Sequence, residues 1–198
     1  MSEMSPITTP AETSSESRLN TLIAIVVSIA ATMVAVFNIK DNNIVQAMSQ
    51  AQAHSIDSWS YFQAKSIKQH LVENTMENLQ LRLETDRNLD EEGKKSVMKL
   101  LEVHKGKVEK YEKDKAELKA KAEGYQTEYD TLNLHDDQFD LAEALISLGL
   151  SIFGIAALTR KWPLFVFGLC FCLVGAFFGI AGFLGMSVHP EWITRILG

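Results

Sequence analysis

The chain has 198 residues and a net charge of −6, with a mean hydropathy near zero. That average hides a segregation: residues 41–140 carry 14 Lys/Arg and 20 Asp/Glu, while 21–39, 141–159 and 163–188 are almost free of charge. The polar region is mixed and mildly acidic with no clustered basic face, so it gives no electrostatic footprint for nucleic acid.

Residues 1–17 read as a disordered tail, followed by a first transmembrane helix over 18–40. Its apolar core, Thr21–Ile39, is bracketed by Arg18 and Lys40. At 1.5 Å per residue the core covers about 28 Å, close to a bilayer interior of roughly 30 Å. A cleaved signal peptide needs a basic leader and a small-residue site just behind the apolar run. Here the leader carries Glu3, Glu12 and Glu16, and the nearest A-x-A (Ala51–Ala53) comes too late. We therefore expect an uncleaved anchor, with a small-residue ridge at Ala24, Ser28 and Thr32.

Residues 41–138 contain no proline and are rich in Ala, Glu, Lys, Gln and Leu, a helical composition. They predict a helical hairpin with arms 41–85 and 88–136. The break falls in Thr85–Gly93, where Asn88 with Glu91 fits a capping box. On the second arm, residues from Val97 through His104, Tyr111, Lys115 and Ala122 to Leu132 alternate in steps of four and three. That pattern lasts about five heptads and predicts coiled-coil packing. Lys and Glu elsewhere form a solvated face, with Glu109–Lys113 and Glu117–Lys121 as i,i+4 pairs. The first arm differs. From Asp41 to His70 its full charges are Asp41, Asp57, Lys65 and Lys68, among Ser, Gln, Asn and Ala mixed with large apolar residues. Such a helix is expected to be contacted on more than one side, which a lone hairpin does not provide and an oligomer does. Pairing centred near Leu89 sets Trp59 opposite Leu118 and Tyr129 opposite Ser49.

Two further spans, 141–159 and 163–188, form a transmembrane hairpin over 139–188, turned by Arg160-Lys161-Trp162. The tail 189–198, with Trp192, Ile193, Ile196 and Leu197, reads as an interfacial segment. Gly175 and Gly179, with Gly182 and Gly185, give the third span a small-residue face that permits close helix contact. Cys170 and Cys172 lie two residues apart on different sides of that helix, which disfavours a disulfide between them. Arg18, Arg160 and Lys161 crowd one side of the membrane, which favours a cytoplasmic N-terminus and an extracytoplasmic hairpin, against a weaker opposing bias from Lys40 and Arg195. The fold class is thus an all-α membrane protein: three transmembrane helices and a long antiparallel coiled-coil hairpin between the first and second.

No nucleophile elbow, phosphate loop, H-E-x-x-H, C-x-x-C or dinucleotide fingerprint is present. We expect no enzyme, no cofactor and no metal site. His135, Asp136, Asp137 and Asp140 are the only cluster with ligand-type side chains, and carboxylates at a helix start explain them more simply. One possible intramembrane polar site remains: Glu143, Ser147 and Ser151 share a helical face, and intramembrane carboxylates are functional candidates.

Ser49-Gln50-Ala51-Gln52-Ala53, followed by Trp59-Ser60-Tyr61-Phe62-Gln63-Ala64-Lys65-Ser66-Ile67-Lys68, resembles the hallmark of a bacterial family of unknown function, domain-of-unknown-function family 4337. The layout is similar too: an N-terminal span, a W-x-Y-[YF]-Q-A-K-S helix, a charged coiled coil and two C-terminal spans. The resemblance brings no activity, cofactor or site. It implies a bacterial source and the inner membrane. From the residues themselves, Trp59, Tyr61, Phe62, Gln63 and Lys65 are candidates for an assembly anchor, as are Gly175 and Gly179, and Lys65 near Tyr61 suggests a cation–π contact. The preferred function is a self-associating membrane scaffold or interaction module, a homo-oligomer in contact with lipid. The alternatives are a small channel or transporter subunit using Glu143, Ser147 and Ser151, and a transmembrane signalling module.

Overall fold

Proline is the residue that most forcibly stops a helix, and none occurs between Glu12 and Thr159. In the computed structural model, which describes residues 12–186 and 188 with side chains from 17 onward, the chain forms three helices. They are α1 (Glu12–Thr85), α2 (Glu91–Thr159) and α3 (Trp162–Phe183), with no strand among the described residues. Each contains a stretch long and apolar enough to cross a membrane. No break separates the first span from the first arm, or the second arm from the second span. The tail expected at 189–198 and most of that at 1–17 lie outside the described residues.

The turn between α1 and α2 covers 86–90. The cap expected at Asn88 falls two residues later, at Asp90, whose Oδ1 accepts the Gly93 N–H at 2.8 Å. Asp86 instead organises the turn by accepting the Asn88 N–H at 3.1 Å. At the other connection, Arg160 adopts a left-handed conformation (φ 56°) and Pro163 occupies the first turn of α3, where its missing N–H costs nothing. α3 stops at Phe183, short of 188. Gly185 takes φ 73° and donates to the Gly182 carbonyl, and Met186 donates to Ala181, which together close a Schellman cap.

The packing divides into two units, one of residues 1–46 with 131–198 and one of residues 47–130. In the second unit every heptad position from Val97 to Tyr129 is buried or half-buried. The first arm has a matching seam that apolar periodicity does not reveal: Ala51, Ser55, Ser58, Phe62, Lys65 and Gln69, continuing in the same four-three steps to Leu83. Ser55 donates to the Ala122 carbonyl at 3.2 Å, and the His54 and Tyr125 rings lie 5.1 Å apart. These pairs give the register centred near Leu89.

In the first unit α3 turns its glycines inward. Gly168 lies against Phe153 and the Gly149 backbone, Gly175 against Ala142 and Ile146, and Gly179 directly beneath the Phe37 ring. Phe37 in turn meets Phe139 at 6.0 Å. The outward surface of the same helices is apolar, with Ile25, Ile29, Leu148, Ile155, Phe167 and Phe177 all exposed. A Cβ at Gly179 would collide with the Phe37 ring. Gly179→Ala is therefore expected to destabilise the detergent-solubilised protein by about 1–3 kcal/mol, read as a lower thermal midpoint. Phe37→Leu in the same chain should recover part of that loss.

Candidate functional site

Two places gather polar side chains against the helix packing, one in each unit. The first is built on the Trp59–Lys68 stretch. Seam geometry splits this motif: Phe62 and Lys65 face the second arm, Tyr61 and Gln63 are exposed, and Trp59 lies edge-on to Phe62 at 5.5 Å and 76°. Lys65 Nζ reaches Asp114 Oδ2 at 2.5 Å and lies 5.5 Å above the Tyr111 ring. The cation–π partner of Lys65 is thus Tyr111 across the hairpin and not Tyr61 along its own helix, because Lys65 occupies a seam position and Tyr61 does not. Lys115 mirrors it, lying 5.5 Å over the Phe62 ring while donating to Gln69 Oε1 at 3.1 Å. The buried Gln69 passes the contact on, donating to Glu73 at 2.8 Å. The hydrogen bond from Lys65 holds the Asp114 carboxyl below its ordinary range, and that from Gln69 does the same for Glu73. One layer further, His104 is in the seam with its Nδ1 buried and without a hydrogen-bond partner among the described residues. This layer holds two cations against aromatic rings and hydrogen-bond acceptors, a set of contacts that specifies register.

The second place is an acidic cluster where the apolar stretches of α1 and α2 give way to their polar arms. Asp41 stands among Asp136, Asp140 and Glu143, with its carboxyl in hydrogen-bond reach of Asp136 and its Oδ1 buried. Burial comes first, then the Asp136 charge and hydrogen bond, then Asp140 and Glu143; together they push Asp41 up to about 7. Asp140 is raised as well, by burial and then by Asp136, Asp137 and Glu143. Two ionised carboxylates repel at that range, which strengthens Asp41's hold on a proton. Among the described residues no three His, Cys, Asp or Glu side chains converge in a metal-holding arrangement. The sequence singled out Glu143 but missed Asp41. The signal lay in the hairpin register, which sets residue 41 opposite 136 as it sets 59 opposite 118.

The remaining candidates fall outside both places. Ser147 and Ser151 are exposed, and Ser151 donates to the Ser147 carbonyl at 2.9 Å within its own helix. Gly175 and Gly179 make contacts inside the chain.

The Asp41 environment has a pH signature. A carboxyl raised in the folded state from 3.8 to about 7 favours folding fully below about pH 4, and this contribution is lost as pH rises toward 7. The thermal midpoint in detergent should fall between pH 4 and 7, and Asp41→Asn should flatten that fall. An unchanged slope in the variant would rule out Asp41 as its source.

No curated protein and no solved structure matches the chain. The family described as domain of unknown function (DUF4337) matches residues 19–185. The match covers most of the chain, which belongs to this family of unknown function.

Proposed function

We propose that the protein is a non-enzymatic, self-associating membrane protein whose hairpin serves as a coiled-coil scaffold or interaction module outside the bilayer. Its location in this reading is the bacterial inner membrane, N-terminus in the cytoplasm and hairpin on the far side. Three apolar stretches whose outward side chains are themselves apolar support insertion, because a surface of that kind is stable against lipid and costly in water. The observation that carries the scaffold is the pair of matched seams: both arms bury heptad-spaced positions over the same length and in one register. Polar seam residues of the kind seen at Ser55, Lys65 and Gln69 set register and partner choice in coiled coils. Native mass spectrometry of the detergent-extracted protein should show a closed oligomer; a monomer at all accessible concentrations would sink the self-association reading.

A second reading, a channel or transporter subunit, draws support from Glu143 lying beside the raised Asp41. Ser147 and Ser151 are exposed, so any path they line requires a second copy. In reconstituted vesicles this reading expects a pH-gradient-driven flux that Glu143→Gln abolishes. No flux from the unsubstituted protein would remove it.

A further inference from the structure

We infer that the outward face of the first arm, centred on Ile56, Ser60, Gln63 and Ile67, is the surface on which a second copy of this chain docks, in parallel and in register. The inference rests on the self-association reading above and names the surface that carries it. The seam takes Ser55, Ser58, Phe62, Lys65 and Gln69, which turns the residues between them away from the second arm. Ile56 and Ile67 are left 58% and 62% exposed, and Leu71 62%. Large apolar residues in that state are out of place on a solvated helix face.

Charge selects the occupant. From Ala53 to Leu71 the residues turned away from the seam carry two full charges, Asp57 and Lys68, both at one edge of the stripe. The equivalent face of the second arm carries Glu109, Lys110, Lys113, Glu117 and Glu123, the composition of a surface meant for water. A strongly charged partner would find one charge of each sign on this face and would be desolvated at a loss. A second copy brings the same sparsely charged face. Copies that share one bilayer enter it through the same spans, so their first arms run in the same direction. A two-fold axis between them sets each residue of the stripe against its own counterpart. Ala53, Ser60 and Ala64 are small enough to let the helices approach, with Ile56 and Ile67 closing the contact above and below. Asp57 lies at the edge of the stripe, and the two-fold puts the two copies of it on opposite edges. The five turns from Ala53 to Leu71 span about 27 Å and offer roughly 300 Å² per copy, less than the roughly 800 Å² per partner of a stable soluble complex. Confinement to a membrane supplies the difference by raising the effective concentration of one copy around another.

The test uses the full chain with Cys170→Ser and Cys172→Ala, carrying either Ser60→Cys or Lys113→Cys, oxidised mildly in membranes and run beside native mass spectrometry. Ser60→Cys should give a disulfide-linked dimer at least about ten times faster than Lys113→Cys, because the bond needs Cβ atoms about 4 Å apart. An oligomer in the mass spectrum with Lys113→Cys linking as fast as Ser60→Cys, or faster, overturns this face and leaves self-association standing. A monomer with no linking at either position overturns both.

Discussion

Between the arms of the hairpin a few polar atoms leave each other no alternative partner. Ser55 gives its hydroxyl proton to a carbonyl at the fully buried Ala122, and Lys65 closes on Asp114 while Lys115 closes on Gln69. A slip of one heptad along α2 preserves the apolar contacts but brings Lys65 to Lys107 or Lys121 in place of Asp114. It exchanges a charge-assisted hydrogen bond for like-charge repulsion. Apolar seams alone tolerate such slips; this one does not. The placement of everything else in this unit, including which side of the first arm is left uncovered, follows from that register.

How much of this was visible beforehand depended on which side chains carried the pattern. The second arm was legible because Val97, Leu101, Val108 and Leu118 mark its seam with bulk and apolarity. The first arm uses Ser55, Ser58, Lys65 and Gln69 at the equivalent positions, so a hydrophobicity period finds nothing there. Its low charge suggested contact on more than one side, and the polar seam against α2 is one such contact. The turn was located correctly, but the cap moved from Asn88 to Asp90, since both residues are competent caps and the choice depends on where the helix can start. Asp41 was invisible as a site residue because its perturbation comes first from burial in the fold and then from three carboxylates about a hundred residues away in sequence.

The glycines of α3 carry a packing signal that the fold uses within the chain. Gly175 and Gly179 carry the spacing of a helix-pairing face, and that face is fully engaged within the chain, by α2 and by the Phe37 ring. A motif of this type states that backbones approach closely and is silent on whether the neighbour belongs to the same molecule. With that face occupied, the outward surface left to α3 is apolar, with Val166, Phe167, Leu173, Phe177 and Ile180 exposed.

The Lys65–Asp114 contact separates this hairpin from its own surface in one further respect. Its side chains are about 30% exposed, whereas the pairs along the outside of the second arm, Lys94–Glu91 and Lys119–Glu123, stand largely in solvent. At physiological ionic strength charges in the open are screened within about 8 Å, and partly buried ones much less. Raising salt thus strips the outer pairs of their contribution while the inner lock keeps most of its own. Ionic strength becomes a means of loosening the helices' flanks without unlatching the arms from each other.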